Sequence, residues 1–317
     1  MNQGWVYRDR ITADQAGQTV LDFLSQRYRH SSRAQWQERL EAGQICLNAD
    51  PVGGEVYLQA GQVLAYHRPP WEEPAVPLDF QVRYEDEDLL VIAKPAGLPV
   101  LPGGNFLTHT LLHQIQRRYP QPSPVPVHRL GRGTSGLMVL ARSPLARSAL
   151  SRQLRESTAA ASDPQAPPPI RKTYRALIGA CDLPDQFTLT TPIGKIDHPV
   201  LGYIYGACPT GRPAFSEGKV LHRTPTSTLV EVTLRTGRPH QIRIHLAAAG
   251  YPLLGDPLYG VGGRPLPIAT ASGPIPVPGD TGYYLHAYGL QFPHPRTQHP
   301  LAFTHPCPWS APEAKVG

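Results

Sequence analysis

Four prolines stand within nine residues at Pro69-Pro-Trp-Glu-Glu-Pro-Ala-Val-Pro77, and no helix or strand interior can run through such a stretch. It reads as a stiff, extended connector. The 317 residues therefore divide into a small first domain, residues 1–68, a linker, residues 69–77, and a larger domain, residues 78–317. A chain of this length can bury a substantial core and needs no staples. Two further stretches, residues 157–169 and 262–282, are rich in Pro with Ala and Ser or with Gly, and read as flexible insertions in the larger domain.

In the first domain Val20, Leu21, Phe23, Leu24 and Tyr28 recur at helical spacing. Ser31 or Ser32 can cap a second helix that carries Trp36 and Leu40 and ends at Gly43. Residues 45–47 and 63–66 follow as short antiparallel strands. Beyond the linker, residues 80–84, 89–94, 137–141, 173–178, 219–223, 228–234 and 241–246 have strand character. Helices are expected from Thr108 and from Ser143-Pro144 to about Arg155. Many strands with few helices between them predict an α+β fold whose central sheet is mixed and largely antiparallel, flanked by helices and loops.

The 30 basic residues exceed the 24 acidic ones by a net +6, and only Lys94, Lys172, Lys195, Lys219 and Lys315 are lysines. The remainder are Arg, the planar donor suited to phosphates and to stacking on bases, so a nucleic-acid partner is expected. Cys46, Cys181, Cys208 and Cys307 are far apart and form no CxxC pair, which suggests neither a zinc ribbon nor a disulfide framework. The N-terminus lacks an apolar signal core, and no stretch approaches the ~20 apolar residues of a membrane span. The expectation is a soluble, cytoplasmic monomer with no membrane association.

Gly131-Arg-Gly-Thr-Ser-Gly136 matches G-x-G-x-x-G, yet the residues after it read as a strand, whereas a dinucleotide fingerprint opens a helix. His109 and His113 lie one turn apart on the expected Thr108 helix without the intervening Glu of a zinc protease, so they read as solvated or core-edge side chains. His240 and His245, on an expected strand, fall on opposite faces and share no metal. By contrast, Thr236-Gly-Arg-Pro-His-Gln-Ile-Arg243 crowds four hydrogen-bonding side chains after a Gly turn. That density marks a functional site.

Six ordered segments then carry a resemblance: Tyr84-Glu-Asp-Glu-Asp-Leu-Leu-Val-Ile-Ala-Lys-Pro-Ala-Gly97, Val127-His-Arg-Leu-Gly-Arg-Gly-Thr-Ser-Gly136, Lys172-Thr-Tyr-Arg-Ala176, the segment from Thr236 to His245, Gly255-Asp-Pro-Leu-Tyr-Gly260 and Leu285-His-Ala287. Across almost its whole length the chain resembles a pseudouridine synthase of the large-subunit ribosomal RNA type. The first domain is similar to the small RNA-binding module of ribosomal protein S4. The resemblance implies isomerisation of uridine to pseudouridine in structured ribosomal or transfer RNA, with no cofactor and no metal. It places the stacking tyrosine at Tyr174 and the arginine that pairs with the family's Asp at Arg243, with Arg238 as second choice. It further implies RNA or substrate contacts from His128, Arg129, Arg132, Thr134, Ser135, His240 and Gln241, and from Arg29 and Arg33 in the first domain.

The family's catalytic Asp corresponds here to Gly131, which has no side chain to attack a sugar carbon or remove a proton. Three readings follow. Another acid, Asp256, Glu217 or Asp197, serves the site; or the reaction proceeds by a glycal-like elimination with Tyr174 as base; or the protein is an RNA-binding pseudoenzyme or assembly chaperone.

Overall fold

The computed structural model describes residues 1–159, 168–199, 201–266 and 276–309. The chain separates into two units, Met1–Glu73 with Asp197–Ile204, and Pro74–Ile196 with Tyr205–Gly317. Residues 160–167 of the first expected insertion and 267–275 of the second lie outside the described residues.

The first unit begins with a strand not expected from the sequence, β1 (Trp5–Arg10), whose second half is the charged run Arg8-Asp9-Arg10 with no apolar alternation. Helices α1 (Val20–Arg27) and α2 (Arg33–Glu41) follow. Ser32 opens α2 in a reciprocal capping box: its Oγ accepts from the Gln35 N–H at 3.2 Å, and Gln35 Oε1 accepts from the Ser32 N–H at 2.9 Å. Strands β2 (Ile45–Leu47), β3 (Asp50–Pro51) and β4 (Val63–Arg68) complete a sheet of order β1-β4-β2-β3. Val20, Phe23, Leu24, Trp36, Ile45 and Leu64 form its core.

The second unit is organised by β6 (Leu89–Lys94), whose six residues are all buried. Such a run, apolar without alternation, belongs to a strand covered on both faces. Leu90 and Ile92 face a core with Met138, Val230, Val232 and the helix residues Leu111, Ile115, Ile242 and Leu246. Leu89 and Val91 face the other side, with Leu137, Val139, Ala146 and Leu150.

The remaining elements in chain order are β5 (Gln81–Glu85), α3 (Leu111–Arg118), β7 (Val125–Pro126), β8 (Ser135–Ala141), α4 (Pro144–Ala159) and β9 (Arg171–Gly179). Then come β10 (Gln186–Leu189), β11 (Ile193–His198), β12 (Gly202–Ala207), β13 (Ser216–Arg223), β14 (Ser227–Leu234), α5 (Gln241–Ala248), β15 (Leu285–Pro293) and β16 (Pro300–Thr304). The long sheet runs β10-β13-β14-β9-β15-β8-β6-β5, with β16 added beside β15 and β7 beside β8. Along this path every pairing is antiparallel except β8 with β15. The fold is thus α+β around a large mixed sheet, and β11 and β12 form a separate pair.

Gly136 makes the parallel junction possible. Its φ is +104°, and a Cβ there would stand 2.3 Å from the Ala287 carbonyl oxygen, where β15 crosses β8.

Three expectations are corrected. Residues 241–246 are not a strand: they open helix α5, so His240 caps a helix and His245 lies inside it. The alternation of Ile242, Ile244 and Leu246 misled because α5 is buried on every side from Gln241 to Ala247, so its polar residues mark no solvent face. The α3 helix starts after Thr110 rather than at Thr108, since Thr110 Oγ1 accepts from the His113 N–H at 3.3 Å. His109 therefore precedes the helix, with Nδ1 2.8 Å from the Pro74 carbonyl oxygen. Helix α4 also runs on to Ala159, past Arg155.

Candidate active site

The turn between β7 and β8, the strand β9, the start of α5 and the approach to β15 enclose a cavity of about 510 Å³. The turn is held from behind. Lys94 Nζ donates to the carbonyls of Pro95, Leu98 and Arg132 at 2.8, 2.8 and 3.2 Å, and the Gly97 N–H reaches the same Arg132 oxygen at 2.8 Å. Burial pulls the Lys94 ammonium down to about 7, while its three carbonyl acceptors use all three ammonium protons. A lone charge ending an apolar strand was a signal for Lys94 that the sequence reading did not take up. The turn itself closes through the Thr134 N–H on the Gly131 carbonyl at 3.1 Å.

Helix α5 supplies the opposite wall. Arg243 and Asp256 form a two-pronged ion pair, Nε to Oδ2 and Nη2 to Oδ1 both at 2.7 Å, with side chains 2% and 1% exposed. Asp256 also accepts from the N–H groups of Leu258 and Tyr259 at 2.9 and 3.1 Å. Arg243 Nη1 stays buried and unpartnered among the described residues, on a side chain that lines the cavity, and can serve a ligand.

His240 sits at φ +53°, a left-handed position that His tolerates. Tyr259 donates its hydroxyl to the Tyr205 carbonyl at 2.7 Å, so the 2.8 Å contact with His240 Nδ1 requires the histidine to donate. That places a proton on Nδ1, so that in the neutral ring Nε2 is the acceptor. Burial first, then the Arg243 and Arg129 cations, pushes His240 down to about 3. His128 is likewise lowered to about 3 by burial and by Lys172, and its Nε2 accepts from the Val139 N–H at 3.3 Å. Tyr174 is 8% exposed on β9, and burial raises its hydroxyl to about 12.

The structure brings together most of the expected residues: Gly131, Tyr174, Arg238, Arg243, His128, Arg129, Arg132, Thr134, His240 and Gln241 all line the cavity. Three expectations change. Ser135 is not among the lining residues; its Oγ lies 2.8 Å from His286 Nδ1 inside the sheet, because β8 has begun there. Gln241 has no capacity left for a substrate, since it accepts from Thr236 Oγ1 and the Arg238 N–H and donates to the Phe215 carbonyl and Ser216 Oγ. Arg29 and Arg33, expected as RNA contacts of the first domain and not of this cavity, lie in the first unit, where Arg29 Nε donates to the Gln26 carbonyl and Arg33 pairs with Asp22. None of the three alternative acids lines the cavity: Asp256 is held by Arg243, Glu217 pairs with Arg235 at 2.8 Å, and Asp197 groups with the first unit.

Among the described residues the lining includes Arg129, Arg132, Lys172, Arg238 and Arg243 and no Asp or Glu. The cavity is therefore cationic, polar at its walls, and floored by an aromatic ring. It can take a base against Tyr174 and a phosphate against the guanidinium groups. No group of three His, Cys, Asp or Glu side chains among the described residues could hold a metal ion.

Residues 88–248, which span this site, match the family described as RNA pseudouridylate synthase. An uncharacterized RNA pseudouridine synthase of Synechocystis sp. is 54% identical over 91% of this chain and 94% of its own. The chain belongs to the RNA pseudouridylate synthase family. Within that family it is also 34% identical to ribosomal large subunit pseudouridine synthase D of Neisseria meningitidis, over 91% of this chain and 75% of that protein. The fold agrees with the human RNA pseudouridylate synthase domain containing 1, with a TM-score of 0.54 at 22% identity over 74% of this chain and 86% of that one.

Proposed function

We propose that the protein isomerises uridine to pseudouridine in structured ribosomal RNA in the cytoplasm, with the target nucleotide turned out of its context into the cavity. The carrying observation is that one cationic cavity, in the segment matched to the family, joins Tyr174, Arg238 and Arg243. Unstacking a uridine costs a few kcal/mol, and stacking on Tyr174 with contacts from the arginines offsets it. A hydroxyl held near 12 stays protonated at neutral pH, so Tyr174 is read as the stacking surface and not as a base. The N1–C1′ bond breaks, uracil turns, and C5 bonds to C1′ with loss of its hydrogen. The first unit, read as the S4-like module, holds neighbouring RNA phosphates through arginines such as Arg29.

Tritium release from ribosomal RNA carrying [5-³H]uridine tests this reading, since every route to the C5–C1′ bond expels that hydrogen. Release by the native chain, coupled to a new pseudouridine at one mapped position, is the expected result. Silence on naked and ribosome-assembled RNA overturns it in favour of RNA binding alone.

A further inference from the structure

The φ of Gly131 lies outside the left-handed region, so the backbone there would admit any residue. What bars a side chain is Tyr283. A Cβ on residue 131 would stand 2.7 Å from Tyr283 Oη, and a Cβ on residue 133 would stand 2.9 Å from Cε1 and Cζ of the same ring. The two glycines form a bed for one phenol, whose oxygen lies where a side chain at 131 would begin. Tyr283 is 5% exposed and lines the cavity. Its Oη is 3.3 Å from Thr134 Oγ1, and the Arg243 guanidinium lies 4.1 Å from its ring centroid.

We propose that Tyr283 is the acid and base of the uridine site, its hydroxyl working from the place that residue 131 leaves empty of a carboxylate. The proposal rests on the synthase reading above. As the C1′–N1 bond breaks, its electron pair stays with uracil and the Tyr283 proton passes to a uracil oxygen. Uracil is then neutral, C1′ carries the positive charge, and the phenolate carries the negative one beside Arg243. After uracil turns, the C5–C1′ bond forms and the C5 proton returns to the Tyr283 oxygen. Tautomerisation carries the oxygen-bound proton of uracil to N1, so atoms and charge balance with no co-reactant.

The experiment compares single-turnover tritium release and RNA affinity for the full native chain, Tyr283→Phe and Tyr284→Phe. Tyr284 is the exposed neighbour, packed on Trp309, and serves as the control. General acid–base groups contribute roughly 10²–10⁴-fold, so Tyr283→Phe is expected to lose at least about 100-fold in rate with its RNA Kd unchanged, while Tyr284→Phe keeps the native rate. Native turnover with Tyr283→Phe keeping pace overturns the assignment of Tyr283 alone. No release by the native chain overturns the synthase reading and Tyr283's part in it together. If Tyr283→Phe does not fold, 3,5-difluorotyrosine at this position keeps the ring and hydroxyl while changing phenol acidity. A changed rate at constant Kd then supports the proposal, and an unchanged rate overturns it.

Discussion

Gly131 shows how much a single residue can conceal at the sequence level. Its lack of a side chain is plain in the string of letters, and by sequence alone the natural repair is to place Asp there. The structure reverses that expectation, because the new Cβ would press on Tyr283 Oη at 2.7 Å. Overpacking of this kind costs about 1–3 kcal/mol, so Gly131→Asp should lower the melting temperature and leave tritium release no higher than native. Tyr174 separates stacking from acid–base work. Tyr174→Phe keeps the ring and should hold kcat/KM within a few-fold, whereas Tyr174→Ala should lose about 1–3 kcal/mol, or roughly 5–150-fold, chiefly in KM. Equal losses in both variants, read by steady-state tritium release, would assign the hydroxyl a chemical part.

At the scale of elements, α5 and the segment around Asp256 are joined by a buried ion pair. Removing one partner leaves the other charge buried alone, and Asp256→Ala should cost about 3–5 kcal/mol in urea unfolding, against less than about 1 kcal/mol for the exposed pair partner in Asp185→Ala. The motif that contains α5 lines the cavity through Arg238, His240, Gln241 and Arg243, but its alternation points to a strand where the structure has a helix. Alternation carries information only where one face of an element meets water, and α5 has no such face. Strands β6 and β8 were legible for the complementary reason: both are short apolar runs buried on two sides, and their composition alone requires a covered strand.

For the whole molecule, acid stability follows from buried neutral histidines. Burial lowers His245 and His286, 0% and 1% exposed, to about 4 from an ordinary 6.5, and lowers His128 and His240 to about 3. Between pH 6.5 and those values the unfolded chain binds protons that the folded chain does not, so stability rises with pH across this window. Each of the two fully buried rings accounts for at most about 3 kcal/mol of this. Thermal melts should fall steeply from pH 6.5 to 4, and a flat profile down to pH 4 would contradict the buried neutral rings.

The proline-rich segment, the α+β class, the crowding of hydrogen-bonding residue types from Thr236 to Arg243 and the absence of a side chain at 131 were all legible in the sequence. Each depends on local chemistry or composition: ring-locked prolines, short apolar runs, and residue types that chemistry requires. Other features were decided only by the tertiary structure. It turned an alternating segment into a fully buried helix, committed Asp256 to Arg243, saturated Gln241 with scaffold bonds, and laid Tyr283 across Gly131 from 152 positions along the chain. Those outcomes depend on which side chains meet across the fold, and neither spacing nor propensity carries that contact information.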